Sequence, residues 1–143
     1  MLVQLSRRAF LGRLSGVVVG IVPGTRLLPR TAHPWTTSGP HPAPRPGITA
    51  ANVLTHEQLA DSPELIPVFD QVREIPGVVD GIRCQCGCAD LEGYYSLLSC
   101  YEGTAMARHC QICQGQARLA HRLHKAGKTL DEIRSSIDAR YGS

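Results

Sequence analysis

Residues 84–88 read Cys84-Gln85-Cys86-Gly87-Cys88, and this C-x-C-x-C run is followed by Cys100 and by a C-x-x-C pair, Cys110 and Cys113. These are all six cysteines of the 143-residue chain. Packing alone does not account for six sulfurs in so short a window. They must share disulfide bonds, a soft metal ion or a thiol redox task. We therefore expect both fold and function to depend on this segment.

The spacing of these cysteines predicts how their sulfurs can meet. On extended backbone, residues two apart share a side with Cα atoms about 6.6 Å apart, and Gly87 allows the loop to curl so that the sulfurs converge. Cys110 and Cys113 are three residues apart and would share one face of a helix. Thiolate ligands about 2.3 Å from a metal ion need such convergence.

Three interpretations are open for the cluster. Disulfides are usual for an even number of cysteines in a small exported domain, although a bridge within C-x-C is strained. A soft-metal site for Cu(I) or Zn(II) would use both groups of cysteines, and the close spacing favours it. A thiol redox protein would use Cys110 and Cys113 near a helix N-terminus, where the dipole stabilises a thiolate. His109 is a further candidate ligand, although a lone histidine is more often a surface residue.

The N-terminus predicts export. Residues 6–11 read Ser6-Arg7-Arg8-Ala9-Phe10-Leu11, a twin-arginine signature, and the apolar stretch behind it is too short for a confident membrane span. We expect residues 1–28 to be a Tat signal that sends the protein to the periplasm or the outer face of the cytoplasmic membrane. Cleavage at Thr31-Ala32 or Thr49-Ala50 is open, and an uncleaved signal would tether the protein to the membrane.

Residues 29–55 are predicted to form a disordered, proline-rich linker, because alternating prolines forbid helices and sheet ladders. Residues 51–143 carry nine Lys and Arg against twelve Asp and Glu, so the positive charge of the chain lies in its first fifty residues. A slightly acidic domain without a basic, aromatic-interleaved face indicates that nucleic acid is not a partner. The sequence contains neither a Ser-His-Asp arrangement nor a glycine-rich phosphate loop. It therefore gives no indication of a hydrolase or a nucleotide-binding enzyme.

Residues 56–143 are predicted to be an all-α domain, a small bundle of about four short helices with a cysteine-bearing loop. Four segments carry helical signals: a helix capped by Asp61 or Ser62 that ends at Pro76-Gly77, a helix over Asp90–Tyr101, a helix over Ala107–Ala126 that Gly127 terminates, and a helix that begins at the capping box Thr129-Leu130-Asp131-Glu132. The core is small enough that disulfides or a metal are expected to support it.

The stretch from Ile75 through Cys88, together with Ser96-Leu97-Leu98-Ser99-Cys100 and Cys110-Gln111-Ile112-Cys113, resembles the PCYCGC-motif (CYCxC) family of exported bacterial proteins. The resemblance covers residues 60–142. Some relatives look as though they carry selenocysteine in the C-x-C-x-C segment, which implies redox or soft-metal chemistry. Arg83 and Gln85 stand where the family has proline and tyrosine, and Tyr94-Tyr95 stands where relatives tend to have histidine. If that histidine is a ligand in relatives, the site here would lack it or use His109 instead.

Residues 110–142 are also similar to CcmH-type thiol oxidoreductases of cytochrome c maturation, in which a C-x-x-C pair handles apocytochrome thiols. That resemblance leaves the other four cysteines unexplained. We therefore expect a non-enzymatic protein that binds Cu(I) or Zn(II), with Cys84, Cys86, Cys88, Cys100, Cys110 and Cys113 as ligands, and a metal-handling or redox protein of the cell envelope as partner. A thiol–disulfide oxidoreductase and a disulfide-stapled structural domain remain the alternatives.

Overall fold

The computed structural model describes residues 39–142, and within them the fold is all-α, as predicted. Its four α-helices are α1 (Ile66–Glu74), α2 (Pro76–Asp80), α3 (Gln111–Lys125) and α4 (Leu130–Tyr141). Single-turn 3-10 helices lie at Glu57–Leu59, Pro63–Leu65, Cys88–Asp90, Leu98–Tyr101 and Met106–Arg108. An isolated antiparallel bridge between Val53 and Glu102 is the one β-type pairing in this part of the chain.

The predicted signal of residues 1–28 and the first residues of the predicted linker lie outside the described residues. None of the helices in the described part of the chain has the length and apolar character of a membrane span.

Helix α4 begins, and helix α3 ends, for the reasons that the sequence predicts. Thr129 caps α4 by accepting from the Glu132 backbone N–H at 3.3 Å, while the Glu132 carboxylate accepts from the Thr129 backbone N–H at 2.8 Å. Gly127, at φ +77°, follows the end of α3, where a left-handed residue is favourable only for glycine. Ile133 and Ile137 bury the inner face of α4 against α3.

Three helix boundaries differ from the prediction. Ser62 provides no side-chain cap, and a 3-10 turn at Pro63–Leu65 leads into α1. Pro76-Gly77 ends α1 as predicted but also opens α2, because proline suits the first helical position, where its missing N–H is not needed. Cys110 lies outside α3 with extended backbone and caps it, so the predicted start at Ala107 is wrong.

The helix predicted over Asp90–Tyr101 is wrong. Leu91 has extended backbone, Gly93 has φ +88°, and only the last four residues form a 3-10 turn. The Leu97 N–H donates to the carbonyl of Ile82 at 2.7 Å, a bond that ties this segment to the cysteine loop instead of to a helical turn. The apolar spacing there reflects burial in a loop: Leu97 is fully buried, while Leu91 is 51 % exposed.

The described part of the predicted disordered linker, residues 39–55, packs against the helices. Arg134 donates to the carbonyl of Pro42 at 2.8 Å, and Tyr95 donates to the carbonyl of Ala43 at 2.6 Å. Val53 is buried in the core. The prolines do prevent helix and ladder, as predicted, but carbonyl acceptors and side chains fix the segment without them.

A buried ion pair joins this segment to α2. The carboxylate of Asp80 is fully buried and accepts from the Arg45 guanidinium at 2.7 Å, from the Arg45 backbone N–H at 2.8 Å and from the Ser96 hydroxyl at 2.8 Å. Burial alone would raise the pKa of Asp80, but the hydrogen bonds from Arg45 and Ser96 outweigh it and lower that pKa. The Arg45 guanidinium also lies 4.7 Å over the Tyr95 ring.

Candidate metal centre

The three cysteines of the C-x-C-x-C run converge because the loop curls at Gly87. Gly87 has φ +92° and precedes the 3-10 turn of Cys88, so residues 84–88 do not continue as a strand. The Cys86 sulfur lies 3.2 Å from that of Cys84 and 2.9 Å from that of Cys88. The expected role of Gly87 is therefore confirmed.

The other three cysteines reach the loop from two further segments. Cys100 lies in the 3-10 turn Leu98–Tyr101 and is fully buried. Cys110 caps α3, and its sulfur accepts from the Cys113 backbone N–H at 3.5 Å. Cys113, in the first turn of α3, is also fully buried, and its sulfur lies 3.5 Å from that of Cys84 and 3.4 Å from that of Cys86. The six predicted site cysteines thus form one cluster.

Within the cluster the sulfurs form two sets, in each of which all sulfurs lie within 4.8 Å of one another. The closed set consists of Cys84, Cys88, Cys100 and Cys113, all buried. The open set consists of Cys86, Cys110 and Cys113, of which the first two are half-buried. A tetrahedral ion with Zn–S bonds of about 2.3 Å would place its ligand sulfurs about 3.8 Å apart. Both sets could therefore hold a metal ion.

His109, the predicted additional ligand, is exposed and belongs to neither set. All six cysteines lie within the described residues, and each is a free thiol.

The thiols of the cluster differ in pKa. Hydrogen bonds from Cys100, Cys110 and Cys113 lower the pKa of Cys86, and those from Cys100 and Cys84 lower the pKa of Cys88 to about 5. Contacts with Cys100 and Cys110 favour the protonated form of Cys113 and, together with burial, raise its pKa. The pKa values of Cys84 and Cys100 are raised as well, so in the metal-free cluster thiolate is concentrated on Cys86 and Cys88.

Polar side chains of α3 and α4 support the loop: Gln116 lies on α3 and Asp138 on α4. In the orientation that satisfies both of its polar atoms, the Gln116 amide accepts from the Gln85 backbone N–H at 3.1 Å and donates to the Arg83 carbonyl at 3.2 Å. The Gln85 side chain donates to Asp138 on α4 at 2.8 Å. Asp138 also pairs with the ring Nε2 of His41 at 3.1 Å, and the Arg83 backbone N–H donates to Nδ1 of that ring at 3.0 Å. Backbone groups that a strand partner would satisfy are here satisfied by side chains.

Tyr101 fixes the first turn of α3. Its ring packs edge-on against Phe69, with centroids 4.8 Å apart, and its hydroxyl donates to the Cys113 carbonyl at 2.9 Å. Burial, reinforced by the nearby thiols Cys113 and Cys100, raises the pKa of Tyr101, so its hydroxyl keeps the proton that it donates.

These supporting residues were not predicted from the sequence. Gln116 lies three residues after Cys113, a spacing that shares a helix face, and that is the one signal the sequence offered for it. His41 and Asp138 are too far from the cysteines in sequence to be connected with them before the fold is known.

No protein-family model matches the chain, and neither a curated protein nor a solved structure matches it at a significant level. The resemblances to the PCYCGC-motif family and to CcmH-type oxidoreductases therefore stay predictions.

Proposed function

We propose that this chain is an exported protein that binds a soft metal ion, Cu(I) or Zn(II), through its cysteine cluster. The observation that carries the proposal is the convergence of four buried sulfurs from three separate segments: the loop of Cys84 and Cys88, the turn of Cys100, and the first turn of α3 with Cys113. Four buried sulfurs that all lie within 4.8 Å of one another match the ligand set of structural zinc sites, and soft thiolates equally suit Cu(I).

The arrangement supports a metal over structural disulfides. A disulfide joins each sulfur to one partner about 2.05 Å away. The Cys86 sulfur instead has three sulfur neighbours within 3.4 Å, namely Cys84, Cys88 and Cys113. Pairwise bridges would give no reason for one sulfur to contact three others, whereas thiolates gathered around metal ions would crowd together in this way.

The arrangement also supports a metal over a dithiol redox site at Cys110 and Cys113. A thiol that attacks a disulfide must be accessible and ionised, so reactive cysteines have a lowered pKa. Cys113 is fully buried and Cys110 is half-buried, so neither sulfur is openly accessible to a disulfide of a partner. The lowered pKa values belong to Cys86 and Cys88, which a C-x-x-C oxidoreductase would not use.

Metal binding can be tested on the full chain, reduced and freed of metal under anaerobic conditions. We expect Cu(I) or Zn(II) to bind with a Kd tighter than micromolar and to bind far more weakly to a Cys84→Ser, Cys100→Ser variant, which lacks two buried ligands. His109→Ala is the matched control, because His109 is exposed beside the cluster and belongs to neither set.

The outcomes separate the rival functions. Absence of binding for both ions, together with a reversible two-electron thiol couple that Cys110→Ser abolishes, would replace the metal protein by an oxidoreductase. Absence of binding with all six cysteines oxidised in protein isolated from its export compartment would favour structural disulfides instead.

Export through the twin-arginine pathway is a separate part of the proposal, supported by residues 6–11 of the sequence. Changing Arg7 and Arg8 together to Lys is expected to leave the precursor in the cytoplasm, as measured by cell fractionation and immunoblotting. Arg13→Lys is the control, because Arg13 lies outside the pair and should leave export unchanged. Export of the double variant at the normal level would contradict a twin-arginine signal.

A further inference from the structure

We propose that the cluster holds two metal ions and that the Cys113 sulfur bridges them. The inference rests on the proposed metal binding and adds the number of ions, the bridging ligand and the difference between the two positions.

The two sets of converging sulfurs account for every cysteine and overlap at one. The closed set has Cys84, Cys88 and Cys100 as its own members, the open set has Cys86 and Cys110, and Cys113 belongs to both. A single ion in the closed set would leave Cys86 and Cys110 without a role, although both point their sulfurs toward Cys113. A second ion in the open set uses all six.

The position of Cys113 suits a bridge. Its sulfur lies 3.5 Å from that of Cys84 in the closed set and 3.4 Å from that of Cys86 in the open set, and Cys113 is the one cysteine that belongs to both sets. It is fully buried in the first turn of a fifteen-residue helix, where the dipole favours negative charge on a ligand. A thiolate sulfur has enough lone pairs to bind two ions at once.

Charge favours two ions over one. Six thiolates carry six negative charges, of which one divalent ion compensates two and a pair of divalent ions compensates four. Four of the six sulfurs are buried, and an uncompensated charge removed from water is costly. Filling both sets is therefore the state in which the fully deprotonated cluster is best tolerated.

The two positions differ in their chemistry. The closed set supplies four buried thiolates, which complete the tetrahedral shell of a structural ion. The open set supplies three thiolates, two of them half-buried, and leaves one coordination position for a ligand from outside. We infer that the ion in the open set is the one that a partner or a chelator exchanges first.

The number of ions and the bridge can be tested with two probes on the full chain. Native mass spectrometry of the reduced protein with Zn(II) is expected to give two ions in the wild type and one in a Cys86→Ser, Cys110→Ser variant, which keeps the closed set whole. Titration with Co(II) followed by electron paramagnetic resonance is expected to show a signal that grows with the first equivalent and declines with the second, because a bridging thiolate couples the two spins antiferromagnetically.

The variants and the wild type sharpen the test in different ways. Cys113→Ser is expected to weaken both ions, whereas Cys86→Ser alone should weaken one. Equal loss of both ions in Cys86→Ser would make Cys86 the bridge and overturn the assignment to Cys113. The wild-type Co(II) titration needs no variant, so the inference stays testable even where a substituted chain fails to fold.

Failure of this inference is distinguishable from failure of the proposed function. A single Zn(II) in the wild type would overturn the two-ion cluster and leave metal binding intact. Two Co(II) ions with additive, uncoupled signals would overturn the bridge. No bound Zn(II) or Co(II) at all would overturn both.

Discussion

Residues 111–141 hold their backbone hydrogen bonds within two helices, whereas residues 81–110 contain only three single-turn 3-10 helices. Both regions nevertheless contribute fully buried side chains to one core, Ile133 from the first and Ile82 and Leu97 from the second. Isolated turns of this length are not stable by themselves. The order of residues 81–110 must therefore come from tertiary contacts, among them the apolar core, the sulfur cluster and the hydrogen bonds of Gln116.

The two regions should therefore respond differently to the same treatment. Most of the helical region depends on caps and apolar packing, and Cys113 is the one cysteine in it. The cysteine region holds the other five thiols, so under the proposed function its order should depend on bound metal. The following predictions act on the cysteine region, on the Arg45–Asp80 pair outside both regions, and on the helical region.

The largest effect is expected when the cysteine loop loses its ligands. Replacing Cys84, Cys86 and Cys88 together by Ser should remove the stabilisation that metal gives, about 4 kcal/mol when free Zn(II) is 1,000 times its Kd. Thermal melts of wild type and variant, with Zn(II) and with chelator in the presence of reductant, measure this difference. The wild type in chelator is the control and should approach the variant. A wild-type melting temperature that neither Zn(II) nor chelator changes would contradict a structural role for metal.

A smaller effect is expected next to the cysteine region, where Arg45 pairs with Asp80 at the end of α2. Arg45→Ala leaves a fully buried carboxylate without its cation, and breaking a buried pair in this way costs on the order of 3 kcal/mol. Denaturant unfolding at neutral pH measures the loss. Lys128→Ala is the control, because it breaks an exposed pair with Glu132 and should cost under about 1 kcal/mol.

The same variant should reverse a pH dependence. In the wild type the pKa of folded Asp80 is lowered, so its contribution to stability is present above the unfolded pKa of about 3.9 and is lost as pH falls through the folded pKa. Without Arg45, burial raises the folded pKa of Asp80, and the contribution of this group then falls as pH rises above about 4. An identical slope of stability against pH in both proteins would contradict the role assigned to Arg45.

The smallest effect is expected in the helical region. Thr129→Ala removes the cap of α4 and should lower the free energy of unfolding by about 1 kcal/mol, whereas Thr129→Ser keeps an oxygen acceptor and should lower it less. Metal stoichiometry should not change in either variant, because Thr129 lies outside the cluster. Loss of metal from Thr129→Ala would mean that the two regions are coupled more tightly than their structures suggest.

The sequence alone predicts a helix end where the interactions that form it lie within a few residues. Gly127 and the Thr129-Glu132 capping box act within a few residues, so α3 and α4 were predicted nearly correctly at those ends. The Asp90–Tyr101 segment has an apolar stripe as well, but the Leu97 N–H donates to the distant carbonyl of Ile82. Such a contact leaves no local pattern in the sequence. Periodicity alone cannot distinguish a buried loop from a short amphipathic helix.

The cysteine cluster was predictable in its membership but not in its division. Spacing alone indicated that the six sulfurs share a site. Spacing could not indicate that Cys113 belongs to both sets, because this depends on the curl at Gly87 and on the start of α3 at Gln111. The anchoring of residues 39–46 was missed for a similar reason: their hydrogen-bond partners, such as Asp80 and Arg134, lie far away in sequence.

The anchoring of residues 39–46 has a consequence for how the exported precursor would be processed. A signal peptidase that cut between Thr49 and Ala50 would discard Arg45 and leave the Asp80 carboxylate buried without its cation. A cut between Thr31 and Ala32 would retain all of the described residues, Arg45 among them. We therefore expect cleavage of an exported precursor at the upstream site, because the mature protein would then keep the cation of its buried carboxylate.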